Sequence, residues 1–424
     1  MPDSRPQQPR FPPSPSVPAD SAALLLCGAL LTDGRTVDVR LGGGRIEAVG
    51  TPGSLATGAV GARVDLRGYL LLPAPAEPHA HCDTALSADG TGASRGPGGA
   101  GPQSPPPEEV QRRATEAALL QLGHGATALR SHVRIGDVPG LDALAAVLRA
   151  RRSLCGLAEL TVVAMPGALT GVAGADGLAM LRDAVKMGAT AVGGCPDADP
   201  DPTGYAETVL QIASEFGCPV DLHTDARDPV RLSRLAAMAG GLGPAVTLGP
   251  CGGLGRLPAG TAARVADRLA AARVTVVCLP QGGCGGVGRR GTAPVRLLRS
   301  AGVRVAAGSG ALRDPANPVG RGDPLEAAYL LASRYGVPAE DAYDMVSASA
   351  RTAMGLPEVR VEAGFPAELL AVRADGLAGA LSLAYSRVVI HRGRLVARTS
   401  AVREYCDSAA VALELPRQGR AEPS

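Results

Sequence analysis

The chain has no tryptophan, three phenylalanines, one lysine (Lys186) and one asparagine (Asn317) among its 424 residues. Its 42 basic side chains face 40 acidic ones, and a net charge of +2 leaves no electrostatic footprint for nucleic acid or an anionic membrane. Long apolar runs are missing too. The longest, residues 22–31, includes Cys27 and Gly28 and is too short to cross a bilayer. The first 20 residues are Pro-rich and polar, without the apolar stretch of a secretion signal. Nine cysteines, an odd number without close pairing, imply reduced thiols in a cytoplasmic protein.

Glycine (56) and proline (36) are abundant, and a hydrophobic fraction of 46% can fill a sizeable core. Alanine, glycine, proline and arginine are encoded by GC-rich codons, so an isolated glycine or arginine carries little information here. Residues 1–21 are expected to form a disordered arm, because Pro-rich polar sequence cannot offset its ordering entropy. Short β-like runs follow at 23–31, 36–41, 45–49 and 64–66, read as a small antiparallel unit with turns at Asp33-Gly34 and Gly42–Gly44.

From residue 70 onward, apolar strands alternate with amphipathic helices. Strands are predicted at 70–75, 126–133, 160–166, 189–195, 219–223, 245–248, 274–280 and 303–307. Eight βα units in succession predict an α/β protein of the (β/α)8 TIM-barrel type. An open doubly wound sheet is the runner-up, but no GxGxxG follows the first strand. Strand character returns at 367–373 and 386–397, with Arg392-Gly393 in a hairpin turn. These segments are expected to join the N-terminal strands in one β lobe. The organisation read this way is a lobe from 22–69 and 358–400, a barrel at 70–357 and a tail at 401–424. Glycine-rich stretches at 90–107 and 282–291 are expected to be loops at the end of the barrel that carries active sites.

His79 and His81 stand two apart after the first predicted strand, in a stretch running from Glu77 to Asp83. Extended backbone sends such residues to one side, so both imidazoles can meet one metal. His223 ends the fifth predicted strand, which faces the first across a closed barrel. Three of the six histidines are thus expected to converge at the barrel mouth.

These motifs resemble the cytosine deaminase branch of the amidohydrolase superfamily. The resemblance rests on 77–83 after an apolar strand, on His223 within His223-Thr224-Asp225, and on 313–320, which opens Arg313-Asp314-Pro315. It spans about residues 25–400 and also includes 125–133, 164–166 and 322–325. It implies a metal-dependent barrel with a lobe from both chain ends, hydrolysing C–N bonds of small cyclic amidines or amides with one iron or zinc ion. The family's strand-1 histidine pair matches His79 and His81, and its strand-5 ligand matches His223.

Other family positions are not filled by the usual residues. The glutamate proton shuttle falls on Ala226, the strand-6 histidine on Pro250, the strand-8 aspartate on Gly310 and the substrate-reading glutamine on Gly167. The polar loop after strand 7 survives as Gln281 and Arg289. Alanine, proline and glycine offer no side-chain ligand or proton carrier, so no catalytic residue is assigned. Cys251 and Cys195 are candidate substitute ligands, with ordinary buried thiols as the bland reading. Asp225 is a candidate replacement shuttle or a helix cap. His132, Gln281 and Asp314 are candidate pocket residues, Asp314 serving equally well in a turn. His124, His391 and Arg290 receive structural readings.

Two function classes follow. One is an amidohydrolase acting on a small nitrogen heterocycle or amide. The other is a catalytically inactive barrel, a pseudoenzyme that binds a small ligand or a partner protein. The cofactor expectation is zinc or iron at one site at most, or no metal. Nucleic acid and membrane are not expected partners, and a homo-oligomer fits the resemblance.

Overall fold

The computed structural model describes residues 23–55, 61–88, 105–136, 138–172, 174–240, 245–282, 291–383 and 386–401. The expected arm at 1–21, Arg289, Arg290, most of both glycine-rich stretches and the tail beyond 401 lie outside the described residues.

The chain begins with β1 (Ala23–Leu30), β2 (Thr36–Gly42), β3 (Arg45–Gly50), β4 (Gly61–Asp65) and β5 (Tyr69–Pro73). Then β6 (Ala76–Ala80), α1 (Pro107–Gly123), β7 (Ala128–Arg134), α2 (Val138–Ser153), β8 (Glu159–Met165), α3 (Gly174–Met187), β9 (Ala191–Gly194) and α4 (Pro202–Phe216) alternate. The alternation continues through β10 (Val220–Thr224), α5 (Pro229–Ala239), β11 (Val246–Pro250), α6 (Ala259–Ala271), β12 (Thr275–Cys278), α7 (Val295–Ser300) and β13 (Arg304–Ala307). A hairpin of β14 (Leu312–Asp314) and β15 (Asn317–Arg321) precedes α8 (Pro324–Tyr335), α9 (Ala339–Val346) and α10 (Ala348–Ala353). The chain closes through β16 (Leu369–Arg373), α11 (Leu377–Leu383), β17 (Arg387–His391) and β18 (Arg394–Thr399).

Strands β6 to β13 form one parallel sheet in chain order, with helices between them, as a TIM-like barrel requires. An isolated parallel bridge between Ala80 and Gly310 brings the last strand's end back to the first. Asp-Pro opens α4, α5 and α8: the aspartates at 201, 228 and 323 accept from backbone amides of the first turn, and proline follows where no N–H is needed. Gly217 and Gly336 end α4 and α8 with φ of 64° and 63°, a left-handed cap that a Cβ would penalise.

The second sheet runs β18-β17-β16-β5-β1-β2-β3 and combines both chain ends. Here the first barrel strand differs from the sequence reading. Segment 70–75 is not in the barrel: β5 pairs antiparallel with β16 and touches β1 in parallel, and the barrel begins one strand later at β6. The reason is visible in the packing. Leu70 and Leu72 face the core beneath the barrel helices, while Leu71 faces the lobe core, so an unbroken apolar run arises from lying between two cores. The true strand, Ala-Glu-Pro-His-Ala, carries polar side chains inside the barrel and lacks the apolar signature. The N-terminal unit is also not wholly antiparallel, since β4 runs parallel to β1. No helix among the described residues is long and apolar enough to cross a membrane.

Candidate metal centre

Three barrel strands each carry two polar side chains at alternate positions, and alternation sends both into the barrel. β6 supplies Glu77 and His79, β7 supplies Arg130 and His132, and β10 supplies Asp221 and His223; all six are buried. They form two layers. The upper layer is imidazole, and the lower layer is charged.

In the upper layer the His79 ring centroid lies 4.3 Å from that of His132 and 4.3 Å from that of His223. Each of these three histidines offers a ring nitrogen within 4.8 Å of the others. The Nε2 atoms of His79 and His223 face each other at 2.5 Å, and two lone pairs at that distance require a proton or a cation between them. His81 stands slightly apart, its ring 5.3, 5.5 and 5.2 Å from those of His79, His132 and His223. Burial, reinforced by neighbouring imidazoles, holds His79 and His223 well below the ordinary histidine range. Burial and the His132 ring lower His81 to about 3. Neutral imidazoles with available lone pairs are the form that ligates zinc or iron, so the donor set fits a metal.

The lower layer orients the upper one. Asp221 accepts from Arg130 Nη1 at 2.9 Å and lies 3.3 Å from His132 Nε2. Burial raises the Asp221 carboxyl, but the charges and hydrogen bonds of His132 and Arg130 outweigh it and hold the group below the usual carboxylate range. The other ring nitrogen of His132, Nδ1, lies 3.3 Å from the Ala80 carbonyl, so the ring's orientation is fixed between two acceptors. Glu77 accepts from Ser309 N at 2.8 Å, from the Ser309 hydroxyl and from His79 N at 3.0 Å. Burial still pushes its carboxyl up to about 7, against the hydrogen bonds from Ser309. Gly308 makes room for it, since a Cβ there would sit 2.5 Å from Glu77 Oε1.

The strands that follow β10 contribute little. In the parallel register His223 stands beside Gly249 and Thr224 beside Pro250, so β11 presents no imidazole at the level of the cluster. Cys251 turns into a left-handed conformation (φ 54°) and is buried; its thiol and that of Cys195 are pushed up by burial, and neither belongs to the clustered donors. Directly after β13, residues 308–311 are Gly, Ser, Gly and Ala, without a carboxylate.

The remaining predicted residues hold loops. Asp225 bonds Arg227 and accepts from Gly253 N at 3.0 Å. Asp314 accepts from Ala316 N and Asn317 N, both at 2.9 Å, closing the β14–β15 turn, and from the Thr84 hydroxyl. Gln281 donates to Asp323 O and Glu326 at the start of α8. Ala226 is buried with φ 56°. His132 moves the other way, from pocket wall to the centre of the cluster. Roles for Glu77, Arg130 and Asp221 beneath the imidazoles were absent from the sequence reading. The signal for them was present: two predicted strands, and the stretch just after the first, carry a charged residue two positions before a histidine.

Comparison with known proteins agrees with this fold. A model described as "Amidohydrolase family" matches residues 102–397. The chain is 29% identical to the pterin deaminase of Rhizobium rhizogenes over 238 residues, 52% of this chain and 54% of that protein. It is 26% identical to the N-isopropylammelide isopropyl amidohydrolase of a Pseudomonas species over 181 residues, 39% of this chain and 44% of the other. It therefore spans about half the length of the curated relatives it matches. Among solved structures, N-isopropylammelide isopropylaminohydrolase from Burkholderia multivorans superposes with a TM-score of 0.78 at 27% identity, covering 90% of this chain and 100% of that one. The 5-methylcytosine deaminase of Klebsiella pneumoniae shares the fold, with a TM-score of 0.76 at 23% identity and coverage of 90% and 100%.

Proposed function

The chain belongs to the amidohydrolase family, and from that premise we propose that its barrel mouth holds one zinc or iron ion on imidazoles and hydrolyses, slowly, a C–N bond of a small cyclic amide or amidine. The observation that carries this reading is the convergence of buried imidazoles from β6, β7 and β10, with His79 and His223 held neutral by burial. The substrate class follows from the relatives, whose names describe a pterin deaminase and an ammelide amidohydrolase.

His79 and His223 would hold the ion, with His132 or His81 as the third imidazole. A bound divalent ion supplies the electrophilic polarisation that no side chain here provides. The residues of this chain do the positioning. Asp221 fixes the His132 ring, and Glu77 fixes the backbone at His79.

Slowness follows from proton handling. Asp221 is committed to Arg130 and His132, Glu77 to Ser309 and His79 N, and Asp225 to Arg227 and Gly253. The family's shuttle position is Ala226. General acid/base help worth roughly 10²–10⁴ in rate is therefore missing.

The test is elemental mass spectrometry on protein purified without added metal, followed by ammonia release from cytosine, isocytosine and pterin. The expected result is about one ion per chain, lost in His79→Ala and His223→Ala, with slow turnover that disappears with it. Protein without metal or turnover would overturn the proposal. Bound metal without ammonia release would favour the non-catalytic barrel that binds a ligand or partner, a reading that the existing contacts of Asp221, Glu77 and Asp225 also support.

A further inference from the structure

At the end of the barrel away from the histidines, a cleft of about 550 Å³ lies between the N-terminal ends of β8, β9 and β10, the end of α2 and the β17–β18 turn. Its charge is one-sided. Arg130, Arg151, Arg152 and Arg392 line it, and Glu159 is the single carboxylate among its lining residues. Glu159 pairs with Arg392 at 3.0 Å, and Asp221 pairs with Arg130 at 2.9 Å. Among the described residues Arg151 meets only the Gly188 carbonyl, at 3.4 Å, and Arg152 is exposed. The last turn of α2 favours basic residues at its carbonyl end, which accounts for two arginines there. It does not account for a cavity that runs from them to a third.

Arg130 supplies an independent observation. It is buried, with Nη1 donating to Asp221 and Nη2 to the Ala353 carbonyl, yet its Nε–H has no acceptor among the described residues. A buried donor without an acceptor is costly, and this one belongs to a side chain that lines the cleft. We propose that this cleft is a binding site for a small, multiply charged oxyanion, with Arg151 and Arg152 at its rim and Arg130 at its floor. Guanidinium forks suit phosphate and carboxylate groups alike. Because Asp221 also lies 3.3 Å from His132, the floor of this site and the histidine cluster share one ion pair.

Isothermal titration of the full chain at low ionic strength, with inorganic phosphate and separately with citrate, tests the proposal. Saturable one-to-one binding of either probe is expected, phosphate alone marking a phosphate-bearing ligand and citrate alone a polycarboxylate. Arg152→Glu and Arg151→Gln should each weaken it by about tenfold, as loss of a charge-assisted hydrogen bond predicts. Both changes lie at a helix end, and an unchanged unfolding midpoint shows that the fold is intact. Absence of saturable binding by both probes, or binding indifferent to both substitutions, overturns the proposal.

Discussion

Arg130 and Asp221 pair at 2.9 Å beneath His132, with both side chains almost wholly shielded from water. The pair is the floor of the imidazole cluster, and its arginine also lines the cleft on the far side. A charge in that position is tolerated only because its partner is there, and this asymmetry gives the first prediction.

Removing one member strands the other. Asp221→Leu or Arg130→Met alone should each cost about 3–5 kcal/mol in urea unfolding. The double substitution should cost clearly less than the sum of the two, because neither buried charge is then left alone. Additive losses would mean that the two groups contribute independently of each other.

The space for Glu77 depends on a missing Cβ. Gly308→Ala should destabilise by about 1–3 kcal/mol, since the added methyl meets the Glu77 carboxylate against a packed barrel wall. Gly260→Ala in α6 is the contrasting case. There the nearest atom is the tip of Arg264 at 3.7 Å, and the substitution should stabilise by about 0.4–1 kcal/mol. Thermal melts of the two variants should move in opposite directions.

Asp323 and Arg387 join the start of α8 to the lobe through two hydrogen bonds, at 2.9 and 2.7 Å. Burial raises the Asp323 carboxyl, but the Arg387 hydrogen bonds and charge outweigh it, so the group sits below its ordinary value of 3.8. A depressed folded value means stability that is fully present above the unfolded value and lost as pH falls through the folded one. Wild type should exceed Asp323→Asn by a constant margin from neutral pH down to about pH 5, and the margin should shrink as pH drops below about 4. Urea midpoints across that range check it; a margin that grows with acid would reverse the sign.

The thiols should be spectators. Cys251→Ser and Cys195→Ser should leave metal content unchanged, and in native protein Cys155, which is exposed, should react with a thiol reagent before the buried Cys82, Cys251 and Cys278. Loss of the ion in Cys251→Ser would place sulfur in the coordination shell.

Much of the fold was legible because each βα unit is written locally. Predicted strands at 126–133, 219–223 and 303–307 fall on β7, β10 and β13 with ends shifted by a residue or two. The error at 70–75 came from the same rule. Leu70 and Leu72 on one side and Leu71 on the other look like a barrel strand, although the two sides face different cores. For the site, His79 and His223 were readable from their places near strand ends. His132 was underweighted because nothing in Ser131-His132 says that its ring turns toward His79.

By itself the sequence determined the alternation that builds the barrel, the histidines near the ends of its strands, and residue types without a side-chain ligand at Ala226, Pro250 and Gly310. Those are properties of residue type and spacing along the chain. Tertiary structure alone decided that β6 rather than β5 opens the barrel, that His132 joins His79 and His223, and that Asp221 takes Arg130 as counter-ion. It also decided that arginines from α2, β7 and the β17–β18 turn meet in one cleft. The reason is physical: strand pairing and ion pairing join residues as distant as Arg130 and Asp221, and no local pattern records which partner a buried charge will find.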